Sequence, residues 1–322
     1  MSEARASGDA IAPELKELSG VIPILVTPFD DHGEVDLGAL SQEIEFLVHA
    51  GVRWAGFGFG SEVHRLGDEQ LFQAVKQATE TAGQRLSVFG NVELRSVAGA
   101  VEQATRAEQA GARLVLLRPG GFPGVSQAMV IDMIRELTAA TSLGVIIQDA
   151  PQNTGVDLSP ATLAYLLQQV DGVAALKIEP VGPARKIGAV LAELGAPGGR
   201  VIGGAGGGEY LHELARGACG TMPGPAYPEV FAAITRLHAK GERQQAFEMF
   251  ARLSPLLTLA KRDMDTFLYV QKYVLMQRDV LDNANLGRPH GELDPRLGDE
   301  IDEVLDSLNL IAFFDSCRDV GW

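Results

Sequence analysis

The chain of 322 residues carries 27 Lys and Arg against 42 Asp and Glu, a formal net charge of −15, and 46% of it is hydrophobic. No basic stripe offsets that acidity, which excludes nucleic-acid recognition through phosphates, and the length suffices for one large α/β barrel or two smaller domains. The only cysteines, Cys219 and Cys317, lack metal-type spacing, so a reduced, cytoplasmic setting is expected.

The opening segment, "MSEARASGDAIAPELKELSG", has no signal-type apolar run and predicts a loose or helical tail over residues 1–19. No later stretch is long and apolar enough for a membrane span. From Gly20 onward, β-rich apolar runs alternate with amphipathic stretches. The runs are "VIPILVTPF", "RWAGFGFG", "RLSVFGNVE", "RLVLLRPG", "LGVIIQDA", "GVAALKIE", "RVIGGAGG" and "GACGTMPG". Their continuous apolar character suits parallel strands covered on both faces. Gly51, Gly83 and Gly111 follow expected helices as left-handed C-caps.

Repeated β-then-α units over residues 20–240 predict a (β/α)8 TIM barrel, an α/β fold. A doubly wound open sheet is the rival, but it usually carries a Gly-rich fingerprint after its first strand, and here that strand runs into "VTPFDDHGEVD". From residue 241 the pattern turns helical in "ERQQAFEMFARLSPLLTLAK", "MDTFLYVQKYVLMQRDVL" and "PRLGDEIDEVLDSLNL", giving a C-terminal helical extension over 241–322. The apolar content of "FLYVQKYVLM" exceeds one small helix face and predicts a homo-oligomer.

Barrel chemistry gathers where the strands end. The second strand leads to Ser61 and Glu62, the third to Asn91 and Glu93, the fourth to Arg118, the fifth to Gln148 and Asp149. The sixth carries Lys177 and Glu179. Side chains alternate along a strand, so these two share one face and Leu176 and Ile178 the other. With the apolar pair toward the helices, Lys177 and Glu179 enter the barrel interior. A desolvated lysine there is a nucleophile for carbonyls, and a carboxylate beside it a proton carrier. A structural ion pair is the alternative. "GGAGGG" after the seventh strand, which includes Gly204, is either a ligand cradle or a plain turn. Glu62, Glu93, Asp149 and Glu179 could together form an oxygen-rich metal site, but their strands are not all adjacent, the six histidines show no ligand spacing, and no metal is expected.

"GVIPILVTPFDDHGEVDLGAL", "GFGSE", "QDAPQNTG" and "LKIE", in this order and spacing, resemble the dihydrodipicolinate synthase / N-acetylneuraminate lyase superfamily over nearly the whole chain. The resemblance implies that Lys177 forms a Schiff base with the ketone of a 2-oxo acid, that no metal or organic cofactor takes part, and that the assembly is a tetramer. Superfamily aldolases and synthases usually carry a tyrosine at Gln148 and two Thr or Ser at Phe59 and Gly60, and the synthases an arginine at Asn153. "QDAP" with "KIE", "KIEPVGPARKI" and "GRPHGELDP" is similar instead to the L-2-keto-3-deoxyarabonate dehydratase branch.

That branch implies dehydration of a 2-keto-3-deoxy sugar acid, giving 2-oxoglutarate semialdehyde in the pentonate case. Lys177 and Glu179 are then the catalytic pair. The substrate-binding candidates are Gly60 and Ser61 for the carboxylate, Glu62 for a hydroxyl or as a brace of the turn, Gln148, Asn153 and Gly204. A Schiff-base aldolase acting on a 4-hydroxy-2-oxo acid and a non-catalytic 2-oxo-acid-binding barrel are the competing readings.

Overall fold

The structure, a computed structural model, describes residues 18–120, 125–195 and 200–318. The tail expected over residues 1–19 lies outside them, apart from Leu18 and Ser19. Strands and helices alternate in the order β1 (Gly20–Val21), α1 (Leu37–His49), β2 (Trp54–Gly56), α2 (Asp68–Ala82), β3 (Ser87–Leu94), α3 (Val97–Gln109), β4 (Leu114–Pro119), α4 (Gln127–Ala140) and β5 (Gly144–Asp149). There follow the short α5 (Pro151–Thr154), then α6 (Pro160–Gln169), β6 (Val173–Ile178), α7 (Pro183–Leu194), β7 (Val201–Gly203), α8 (Tyr210–Leu214), β8 (Gly220–Thr221) and α9 (Pro228–Ala239).

Each strand pairs in parallel with its neighbours in chain order, and β1 returns to β8. The ring closes where Leu25 N–H donates to Gly56 O (2.8 Å) and Gly56 N–H to Pro23 O (3.2 Å). This is the (β/α)8 barrel expected. Its first, second and last strands are shorter than their apolar runs: of "VIPILVTPF" only Val21 belongs to a ladder, with isolated bridges at Ile24 and Phe29, and the rest is buried as irregular chain.

Local chemistry sets the helix starts. Asp36, Ser96, Ser126 and Ser159 each accept the backbone N–H three residues on, at the heads of α1, α3, α4 and α6. Gly51, Gly83 and Gly111 hold positive φ, as their placement after helices predicts.

Side-chain alternation divides the core. Leu114, Leu116, Ile146, Ala175 and Ile202 fill the barrel, with Phe89 and Trp54. Val115, Leu117, Val145, Ile147, Leu176 and Ile178 face the helices. A third cluster joins α8, α9 and Val21 to the C-terminal helices. These are α10 (Arg243–Ala260), α11 (Met264–Gln277), α12 (Leu297–Ser307) and α13 (Leu310–Arg318). The sequence pattern predicted three of them. The fourth, "LIAFFDSCR", is too short to show a clear period, and it buries Leu310, Phe313, Phe314 and Cys317. In α11, Leu268, Val270, Val274 and Leu275 are buried within the chain, while Phe267, Tyr269, Tyr273 and Met276 stay half-buried. Among the described residues no helix is long and apolar enough to cross a membrane.

Candidate active site

Parity along β6 works as the alternation requires. Leu176 and Ile178 are fully buried against the helices, while Lys177 and, just past the strand end, Glu179 line a cavity of about 390 Å³ at the C-terminal mouth of the barrel. The walls come from Ile24, Phe59 and Gly60, from Gln148, Gln152 and Asn153, from Ala205 and Gly206, and from Lys261, Asp263, Met264 and Phe267 of the C-terminal helices.

Lys177 Nζ lies 3.1 Å from Glu179 Oε1. The same oxygen accepts the Ala205 N–H at 2.6 Å, and Oε2 accepts from Gln148 Nε2 at 2.5 Å. Gln152 Nε2 donates to the Glu179 carbonyl at 2.6 Å. Burial works to raise the Glu179 pKa, but the Lys177 charge and the donated hydrogen bonds outweigh it, and the carboxyl is held below its ordinary value. Glu179 therefore rests as a carboxylate beside Lys177.

Gln148 stands beside Lys177 in the β5–β6 register. A carboxylate can only accept, so the contact with Glu179 fixes which end of the Gln148 amide is NH2. Its Oε1 is left buried and without a protein partner. An unpaired buried acceptor beside the lysine is suited to a ligand hydroxyl.

The glycine turn after β7 serves this pair. A Cβ on Gly204 would collide with the Glu179 carboxylate, so Gly204 is a close-approach position. Gly204 does not line the cavity; the turn cradles Glu179. Ala205 adopts φ 48°, a left-handed conformation uncommon for a residue with a Cβ, and its N–H meets the carboxylate.

Ser61 and Glu62 are also not brought to the cavity. Both are fully buried behind it, in the tight turn that follows β2. Ser61 Oγ donates to Leu25 O at 2.5 Å and accepts the Gly58 N–H at 3.2 Å, so its hydroxyl is spent on the turn itself. Glu62 accepts from Lys272 Nζ (2.5 Å), Arg65 Nη1 (2.6 Å) and Gly287 N–H (2.8 Å). Arg65 also pairs with Asp265, and Lys272 lies 4.7 Å from the Phe29 ring centroid. Glu62 thus fastens the β2 turn to α11. Gly60 and Asn153 do line the cavity. Phe59 is held there from behind by the Arg118 guanidinium, 4.5 Å from its centroid, and by the stacked His64 ring at 4.5 Å.

The four strand-end carboxylates do not converge. Glu62 engages Lys272, Glu93 engages Arg118 and Arg95, Asp149 engages Lys186, and Glu179 engages Lys177. Among the described residues no group of three metal-ligating side chains is assembled.

Gln152, Ala205, Lys261 and Phe267 line the site without any distinguishing mark in the sequence. Lys272 did leave a signal: it interrupts the apolar face of Leu268 and Leu275 on α11, where a cation needs a buried counter-charge.

The chain is similar to known proteins in sequence and in fold. Residues 17–308 match the model of the dihydrodipicolinate synthetase family. An L-2-keto-3-deoxyarabonate dehydratase of Azospirillum brasilense is 27% identical over 287 residues, 86% of this chain and 90% of the relative. A 4-hydroxy-tetrahydrodipicolinate synthase of Xanthomonas axonopodis pv. citri is 28% identical over 279 residues, 85% and 87% of the two chains. The solved 4-hydroxy-tetrahydrodipicolinate synthase of Methylacidiphilum fumariolicum superimposes with a TM-score of 0.84 at 22% identity, covering 94% of this chain and 99% of that one. At that identity the likeness concerns the fold.

Proposed function

We propose that this chain, which belongs to the dihydrodipicolinate synthetase family, is a Schiff-base hydro-lyase acting on a 2-keto-3-deoxy sugar acid, with L-2-keto-3-deoxyarabonate as its reference substrate. The observation that carries this reading is the Lys177–Glu179 pair at 3.1 Å on the cavity wall, with Gln148 and not a phenol beside it.

Lys177 passes its proton to Glu179 and adds to the C2 ketone; the carbinolamine takes that proton back on its oxygen and loses water, leaving a protonated imine. The cationic nitrogen acidifies C3, and Glu179 removes one C3 proton to give the enamine. The protonated Glu179 then donates to the C4 hydroxyl, which departs as water while the enamine electrons form the C3–C4 double bond. Loss of a C5 proton gives an enol that collapses to the C5 aldehyde as C3 regains a proton. Hydrolysis of the imine restores Lys177 and releases 2-oxoglutarate semialdehyde, one water lighter than the substrate. Gln148 cannot carry a proton, so one carboxylate serves each transfer, and the free Gln148 Oε1 accepts from a substrate hydroxyl. Backbone amides of the turn at Phe59 and Gly60 hold the C1 carboxylate.

Product analysis with L-2-keto-3-deoxyarabonate tests the reading: 2-oxoglutarate semialdehyde is expected. Pyruvate and glycolaldehyde would indicate aldol cleavage by the same lysine, and an unchanged substrate would indicate a binding barrel. The assembly is proposed as a cytoplasmic homotetramer, on family grounds and with both described cysteines free; light scattering at micromolar concentration reads its mass.

A further inference from the structure

A carboxyl buried behind β7 has no part in the steps above. Glu213, on α8, is fully buried, and neither of its carboxyl oxygens meets a hydrogen-bond partner among the described residues. In such a place an ionised carboxylate costs far more than the acid, so the group rests protonated. Packing does not account for it, because a leucine would fill the space without burying a polar atom.

What lies across the strand from Glu213 is Glu179. A Cβ on Gly203 would collide with the Glu213 carboxyl, and a Cβ on Gly204 would collide with the Glu179 carboxylate. Gly203 shares the helix-facing side of β7 with Val201, and successive positions alternate. The two carboxyls therefore flank the Gly203–Gly204 peptide, Glu213 on the helix side and Glu179 on the cavity side. Burial is the largest influence on Glu213; Glu209, just before α8, and Glu179 add to it, Lys261 at the end of α10 opposes it, and the carboxyl is pushed up to about 8. Tyr210, also on α8, is kept neutral by burial, with its hydroxyl 2.6 Å from Thr235 Oγ1. A second negative charge across that peptide would tighten the hold of Lys177 on its proton, and the hold of Glu179 on the proton it gives the leaving hydroxyl.

We propose that Glu213 is a positioning residue of the reaction: its uncharged carboxyl, across the Gly203–Gly204 peptide from Glu179, keeps Glu179 the single negative charge beside Lys177. This rests on the Schiff-base reading above and deepens it. Glu213 touches no reacting atom and acts through Glu179.

The test compares Glu213→Gln, which is neutral at every pH, with wild type from about pH 6.5 to pH 9. Two rates are read: kcat for dehydration of L-2-keto-3-deoxyarabonate, and single-turnover formation of the borohydride-trapped adduct with pyruvate. In both, the ratio of variant to wild type should rise about tenfold with a midpoint near pH 8, because only wild type acquires the second charge. Tenfold is the effect of a charge that moves a neighbouring pKa by about one unit. Glu209→Gln keeps Glu213 but removes a charge that favours its proton, so the pH at which turnover falls should move about half a unit below wild type. A ratio that stays constant with pH, whether high or low, overturns the proposal. If Glu213→Gln does not fold, the Glu209→Gln profile decides, and a fall at the wild-type pH overturns it. If L-2-keto-3-deoxyarabonate is not dehydrated yet the trapped-adduct ratio still rises with pH, the dehydratase reading fails and the role of Glu213 stands.

Discussion

Replacing Glu179 by glutamine separates proton transfer from charge pairing. In the native site the carboxylate accepts from three donors: Lys177 at 3.1 Å and Ala205 at 2.6 Å on one oxygen, and Gln148 at 2.5 Å on the other. An amide has one oxygen. Kept toward Lys177 and Ala205, it turns its NH2 onto the Gln148 NH2, and the clash is relieved when Gln148 flips to present Oε1. Hydrogen bonding is then largely restored, so the stability loss should stay near 1–2 kcal/mol, the difference between charged and neutral acceptors. The flip also reverses the cavity face of Gln148 from acceptor to donor. Turnover should fall about 10²–10⁴-fold, the usual worth of a general acid–base group. Adduct formation should slow as well, because Lys177 loses the carboxylate that takes its proton and returns it to the carbinolamine oxygen. Single-turnover trapping, C3 hydrogen exchange and product release read the three stages separately. Wild-type rates of C3 exchange and product formation in Glu179→Gln would refute the assignment and leave Glu179 a brace.

Lys272→Met should destabilise the chain by about 1.5–3 kcal/mol in urea unfolding, the worth of a charge-assisted hydrogen bond, since Glu62 loses one of its two cations and keeps Arg65. Glu43 and Glu213 are both raised by burial from 4.5 to about 8. A carboxyl raised on folding contributes stability in full below its unfolded value and loses it as pH rises toward its folded value, so stability should decline between about pH 5 and pH 8. Glu213→Gln should flatten that decline in denaturant titrations across the same range. Glu179, depressed on folding, has the opposite sign: its contribution is present above its unfolded value and is lost as pH falls through its folded value. Activity should survive a strong chelator, because each strand-end carboxylate is engaged by its own Lys or Arg; loss restored by magnesium or manganese would contradict this.

The barrel was legible because parallel strands buried on both faces print as apolar runs, and because a lysine and a glutamate two positions apart in such a run share one face. The run itself overstates the strands: buried irregular chain around Pro23 and Pro28 is as apolar as a ladder. Ser61 and Glu62 looked like ligand contacts because polar residues at a strand end usually face the mouth. A tight turn rotated both into the protein, where the hydroxyl and carboxylate found backbone and cationic partners. Gly204 was drawn to the right turn for the wrong object, since what the turn holds is Glu179. The contribution of the C-terminal helices to the cavity was not legible. Nothing local in "AKRDMDTF" distinguishes Lys261 and Phe267 from a solvated helix junction; only the packing of α10 and α11 over the barrel mouth brings them there.

The central claim is that Lys177 is the imine-forming nucleophile. Borohydride reduction in the presence of a 2-keto-3-deoxy acid, followed by peptide mass spectrometry, tests it most directly. The account predicts the mass of the reduced acid on Lys177, and no adduct and almost no turnover in a folded Lys177→Ala variant. An adduct mapped to Lys186 or Lys261, or one that persists in Lys177→Ala, would contradict it.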